Sequence, residues 1–280
     1  MSTPPPLTDR TALTLHRARA TKNEARFLHD EAIAQVQERL EEVNRAFTTP
    51  AIVTGHPEIW ANVVQNARIV PDLETLALEY QAQDLVIHAM ALHWSDDPVG
   101  QLVQARRALR PDGLFLAVFP GGQTLHELRA ALAQAESALR GGLSPRVAPM
   151  GEIRDLGGLL QRAGFALPVA DSTPLTVTYT SALHLMRDLR AMGETNALTR
   201  RDRRFAPRAL FARTAAGYEQ HFTIEPGRVR ATFDLVFLTG WAPADSQPKP
   251  LRPGSAKARL ADALGVPEMT AKDPATPGHD

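Results

Sequence analysis

His56 and Glu58, inside the stretch AIVTGHPEIW (51–60), stand two positions apart, the H-x-E spacing of a facial iron triad. Such a triad needs a second His and serves oxygenase chemistry. No third ligand accompanies the tripeptide, and a Pro-kinked loop with solvated His and Glu side chains is the plainer reading. His88 and His93 lie five apart in DLVIHAMALHW (84–94). On one continuous strand they project to opposite faces and cannot share a metal, so no metal site is expected. His93 and Trp94 close that run, at the rim where α/β folds place ligands; the alternative is Trp94 as a core plug. PGG (120–122), ahead of Thr124, sets N–H groups of Gly121 and Gly122 at a helix start, where an anion docks unless the segment is a plain turn. In MGETN (192–196), Glu194 could grip a guanidinium bidentately with Asn196 beside it. The competing reading is a helix C-cap at Gly193 with solvated polar residues.

Bulk composition narrows the classes. Lys+Arg and Asp+Glu both number 31 in 280 residues, which leaves no basic field to recruit nucleic acid or an anionic surface. The one basic cluster is Arg200, Arg201, Arg203, Arg204, Arg208 and Arg213. It is a solvated helix face or a dock for an acidic protein, with no interleaved aromatics to stack bases. The absence of cysteine excludes a disulfide framework, a thiolate nucleophile and Cys-based metal sites, and fits a reducing compartment; a cytoplasmic location is expected. No apolar run approaches the roughly 20 residues that cross a bilayer.

The elements that must position these residues alternate in type. Apolar residues recur at helical spacing from Glu24 to Phe47. AIVTG and ARIV are short apolar runs, and 84–94 is nearly continuously apolar, as buried parallel strands are. A helix over 96–109 starts on Asp caps, RPDG (110–113) is a turn, and LFLAVF (114–119) is the next strand. Helices are expected over 124–139, 152–162 and 181–192 and around 199–220, with strands at 174–180 and 228–241. Strand and helix alternating through short turns predict a mostly parallel α/β sheet with helices on both faces. An unstructured start over 1–10, one domain over 11–243, and a Pro-rich, mostly unfolded tail over 244–280 with a short helix near 255–264 complete the reading.

The stretch DLVIHAMALHW…ALRPDGLFLAVF resembles the fourth and fifth strands of class I S-adenosylmethionine-dependent methyltransferases, a Rossmann-like fold. GGQTLHELRAALAQAE (121–136), SPRVAPMGEIRDLGGLLQRAGF (144–165), MRDLRAMGETNAL (186–198), FLTGW (237–241) and SQPKPLRPGSA (246–256) are similar to the family of respiratory complex I assembly factor 5. The malonyl-carrier-protein methyltransferases of biotin synthesis are more distantly similar. The resemblance implies S-adenosyl-L-methionine as cofactor, with Gly55, Asp72, His93 and Trp94 around it. It implies a substrate that meets the 121–127 and 192–196 loops, at Gly121, Gly122, Thr124, Glu127, Glu194 and Asn196. No catalytic residue is assigned. The assembly-factor likeness implies a protein partner, a complex I subunit or another protein, and offers a second function: a non-methylating assembly factor that hydroxylates an arginine or only binds a subunit.

Against that pattern the cofactor loop is eroded. The first strand normally opens into several glycines whose N–H groups donate to the ligand. Here Gly55 stands alone, and Pro57 lacks an N–H. The pattern also places a ribose-binding carboxylate about 20–30 residues on, at the end of a second strand. Only sixteen positions take the chain from Gly55 to Pro71, and Asp72 then falls where the adenine-contacting acid belongs. One strand of the usual set is expected to be missing.

Overall fold

A computed structural model describes residues 5–20 and 25–248, and the compact unit that carries the site ends at Ala244. The expected helix near 255–264, and with it most of the expected tail, lies outside the described residues.

The chain opens with helix α1 (Arg10–Arg19), capped by the Asp9 side chain, and α2 (Phe27–Val43). Strand β1 (Pro50–Thr54) is followed by the single turn α3 (Pro57–Trp60), with Pro57 in its first turn, and then by β2 (Arg68–Pro71). Strand β3 (Gln83–Ala89) runs into a 3-10 turn, Leu92–Trp94. Next come α4 (Pro98–Ala108), β4 (Leu109–Pro120), α5 (His126–Arg140), α6 (Ile153–Ala163) and β5 (Ala166–Tyr179). Helices α7 (Ala182–Ala191) and α8 (Arg208–Phe222) precede β6 (Thr223–Glu225) and β7 (Arg228–Trp241).

Among the described residues the strands form one sheet in the order β2-β1-β3-β4-β7-β5, with β6 paired to β7. Strands β2, β1, β3 and β4 are parallel; β7 inserts antiparallel between β4 and β5. Side chains alternate across a strand, so a sheet covered on both faces divides its apolar residues by period two. Ile52, Ile87 and Leu116 pack with α2, α5 and α7 on one face. Ala51, Val53, Val86 and Phe115 pack with α4 and α6 on the other. The predicted fold class holds, but the expected missing strand is not found: the sheet has seven strands among the described residues, and what is short is the crossover from β1 to β2, which carries only the four-residue α3.

Several boundaries differ from expectation, each for a local reason. The run 84–94 is not one strand; it ends at Ala89, Met90 takes a positive φ of 50°, and His93–Trp94 sit on the turn. RPDG is not a free turn but a bulge within β4, where Asp112 has φ 63° and the register with β3 shifts. Residues 201–207 are irregular, and the last helix starts only at Arg208. The start is built rather than loose from Thr8 onward. The Thr8 amide donates to Asp96, its hydroxyl donates to the Trp94 carbonyl, and Thr8 bridges to Leu198.

Candidate functional site

The C-terminal ends of β1, β2 and β3 open onto one rim, where an α/β sheet binds ligands. His56 and Gly55 follow β1, Asp72 follows β2, and His93 and Trp94 follow β3. The turn after α7 supplies Glu194. Gly193 has φ +82°, and the Glu194 amide donates to the Leu189 carbonyl, so the expected C-cap is present. Its competing partner, a solvated Glu194, is not: the side chain turns into the rim and is 15% exposed.

Glu194 gathers the polar groups there. The Trp94 indole N–H donates to Oε2 at 2.7 Å. His93 Nε2 lies 3.4 Å from the same oxygen, and His56 Nε2 lies 3.7 Å from Oε1. Burial pushes this carboxyl up, but the neighbouring His56 and His93 rings and the charge of Arg17 outweigh it and hold it well below the usual range. Glu194 is therefore a buried, ionised carboxylate. Behind His56 stands His29, with ring centroids 4.6 Å apart, and the Trp60 indole donates to His29 Nδ1 at 3.1 Å. That bond places the His29 proton on Nε2. Burial, reinforced by the His56 ring, lowers its pKa to about 3.

The second cluster is on Asp72. Arg17 Nη1 lies 3.0 Å from both carboxylate oxygens, and Arg10 adds a bond to Oδ2 at 3.2 Å. Arg17 also fills the space over the cofactor loop: a Cβ on Gly55 would sit 1.8 Å from its guanidinium. Both arginines come from α1, whose start is clamped by Arg201 and Arg203 on Asp9. Two members of the basic cluster therefore act inside the molecule.

An apolar cavity of about 270 Å³ reaches from Glu194, His93 and Trp94 to Leu128, Met186 and Phe233. The structure thus brings Gly55, Asp72, His93 and Trp94 to one rim as expected, and adds Glu194 to them.

The other expected substrate contacts are corrected. Gly121 donates its N–H to the Asp234 carbonyl and Gly122 to the Gly151 carbonyl, so no free anion-binding amides remain. Thr124 Oγ1 donates to the Asp234 carbonyl and accepts from its N–H, tying the turn to β7. Glu127 is fully buried and accepts from the Thr232 amide and hydroxyl. Asn196 donates to the Pro145 carbonyl and accepts from the Leu198 amide, although it also lines the cavity. The H-x-E reading fails because His56 points inward and Glu58 outward. Among the described residues no group of three His, Asp or Glu is placed to hold a metal. His88 is buried with Nε2 on Gln101 Oε1, away from His93.

A family model described as "Methyltransferase domain" matches residues 28–117, which run from α2 into β4 and include Gly55, His56, Asp72, His93 and Trp94 of the rim. The solved YcgJ protein of Bacillus subtilis superposes with a TM-score of 0.50 at 13% identity, over 77% of this chain and all of that one, which shows the fold. Residues 28–117 are a methyltransferase domain on the class I methyltransferase fold. The chain is 39% identical over 201 residues to arginine-hydroxylase NDUFAF5, mitochondrial, of Danio rerio, covering 72% of this chain and 62% of that protein. It is 36% identical over 178 residues to the malonyl-acyl-carrier-protein O-methyltransferase of Laribacter hongkongensis (strain HLHK9), covering 64% and 57%. The chain thus spans about three fifths of the length of these curated relatives.

S-adenosyl-L-methionine is the cofactor of the superfamily. The rim as arranged does not fit it: the single-glycine loop is filled by Arg17, and Asp72 is already held by two guanidinium groups.

Sequence reasoning missed three of the buried members. His29 was within reach, since it shares the α2 face of Ala32 and Val36 at helical spacing. Arg17 and Trp60 gave no such signal: one is an arginine in a polar helix, the other an aromatic residue in a single turn.

Proposed function

We propose that this methyltransferase-fold protein recognises an arginine-like side chain of a protein partner, with the guanidinium directed to Glu194 and its stem in the apolar cavity. The observation that carries this reading is an ionised, largely buried carboxylate at one end of an apolar cavity. A buried charge is costly unless it is fully paired and hydrogen-bonded, so such a carboxylate favours a cationic donor. A guanidinium offers a planar fork of donors, and an apolar wall suits its methylene stem. The name of the Danio rerio relative, arginine-hydroxylase, supports the same ligand class. By the resemblance, a subunit of respiratory complex I is the partner of this kind to try first.

Methyl transfer is the chemistry of the superfamily, and it needs the cradle that Arg17 fills. The binding reading does not.

The test is a titration of an arginine-bearing peptide and its citrulline counterpart, read on the indole N–H signal of Trp94. Arginine is expected to move that signal, whereas citrulline, and arginine added to Glu194→Gln, leave it in place. Equal responses to arginine and citrulline would refute the reading.

A further inference from the structure

The two bonds of the Asn196 side chain fix two walls of a second cavity. Its Nδ2 donates to the Pro145 carbonyl, and its Oδ1 accepts from the Leu198 amide. Asn196 itself lines the cavity at Glu194, whereas Pro145 and Leu198 line another, of about 570 Å³. The two cavities have Val147 and Met150 in common, so they adjoin along one wall.

The pair of cavities is opposite in charge at its two ends. The first carries the Glu194 carboxylate, and the second carries Arg129 and Arg200. Arg129 is engaged, with Nη2 donating to the Ala148 carbonyl. Arg200 is exposed, and among the described residues its side chain has no ion pair or hydrogen bond. The rest of the second lining is apolar, with Leu7, Val147, Met150 and Leu198 as its larger side chains. Pro5, Pro6, Pro145 and Pro149 complete it and carry no amide N–H. Those four positions offer a ligand's backbone no donor, so the wall selects by shape and apolar surface. It is also set before a ligand arrives: the Thr199 amide donates to the Leu7 carbonyl, and the Thr8 hydroxyl to the Trp94 carbonyl.

Side chains at alternate positions of an extended peptide emerge on one side, roughly 7 Å apart. Adjoining cavities with a common wall suit such a pair. We propose that the two cavities form one peptide groove, whose occupant is an extended segment of the protein partner. The segment carries an apolar residue two positions from the arginine and an acidic residue beyond it. The arginine enters the first cavity, the apolar side chain fills the second, and the carboxylate meets Arg200. An exposed ion pair contributes little by itself, so the apolar side chain supplies most of the added affinity and Arg200 sets the register. This inference rests on the reading of Glu194 and adds to it the residues that flank the arginine.

The test is a titration of the full chain with a symmetrical peptide: a central arginine, an apolar residue two positions to either side, and an acidic residue outside each. The Trp94 indole N–H signal reports on the first cavity and the Leu198 methyl signals on the second. Both are expected to move together. Glycine in place of the apolar residues is expected to weaken binding about tenfold. Amides in place of the acids, or Arg200→Glu in the protein, are each expected to weaken it about threefold. Arg200→Glu is further expected to prefer a peptide with basic ends. If every arginine peptide binds alike and only Trp94 responds, the groove is overturned and the reading of Glu194 stands. If citrulline replaces arginine without loss while the flanking changes still count, the reading of Glu194 fails and the second cavity keeps its assignment. Leu198 signals that follow protein concentration alone, and not peptide, give the second cavity to another copy of the chain and overturn the proposal. So does a shift produced by removing residues 1–4 and not by peptide.

Discussion

Two glutamates on the expected substrate loops have opposite fates, and the difference is visible in their partners. Glu194 faces indole and imidazole groups that can also turn toward a ligand, and it lines a cavity. Glu127 is spent on β7, accepting from the Thr232 amide and hydroxyl with no exposed surface of its own. Removing Glu127 leaves a buried donor pair unanswered and opens a void. Glu127→Ala is therefore expected to cost about 2–4 kcal/mol of stability in urea unfolding. Peptide recognition by the folded fraction should persist. Glu194→Gln should show the converse, with lost arginine recognition and a smaller change in stability. A Glu127→Ala variant with parental stability would mean that the β7 contact does not hold α5.

At the scale of elements, the turn after α7 supports both α7 and α1. Gly193 has a positive φ of 82°, and a Cβ there would lie 3.1 Å from the Arg17 Cα. Gly193→Ala is expected to lose about 1–2 kcal/mol from the left-handed conformation alone. It should also loosen α1, measured as faster amide exchange across residues 10–19. Unchanged protection of α1 would show that it does not rest on this turn. This element also marks where the sequence stops being legible. The strands announced themselves because buried parallel strands are continuously apolar, and Ile52, Ile87 and Leu116 repeat that signal. The short distance between Gly55 and Asp72 announced a short crossover from β1 to β2, not the lost strand it suggested. The rim residues His93, Trp94 and Glu194 were readable as strand-end or helix-end positions. That Arg17 would occupy the cradle was not readable, because it depends on a contact across 55 positions made by an otherwise polar helix. The Gly121–Gly122 amides misled for the same reason: their acceptors, the carbonyls of Asp234 and Gly151, come from distant segments.

For the molecule as a whole, the two helix-covered faces of the sheet are apolar and the titratable groups collect at the strand ends and beneath them. That distribution sets the acid response. Burial lowers the pKa of His29 to about 3, with the His56 ring adding to it, and burial lowers His88 to about 4 against its bond to Gln101. In the unfolded chain both imidazoles titrate near 6.5. Between those values the unfolded state binds more protons, so stability rises with pH there and falls on acidification. The contribution of neutral His29 and His88 is complete above about pH 6.5 and erodes below it, by up to about 1.4 kcal/mol per pH unit for each ring. Glu136 acts lower. Burial raises its pKa, but Arg146 and Ser144 outweigh that and bring it to about 2, so its contribution is lost between pH 4.5 and 2. The melting temperature should therefore begin to fall near pH 6.5, before any carboxylate titrates. His29→Gln keeps an acceptor for the Trp60 indole and removes one of the imidazoles that burial depresses, alongside His88 and His16, so its slope between pH 6.5 and 5 should be shallower than that of the parent. An unchanged slope would mean that His29 is protonated without opening the core, and that the seam from Trp60 to Glu194 gives way to charge more easily than its burial implies.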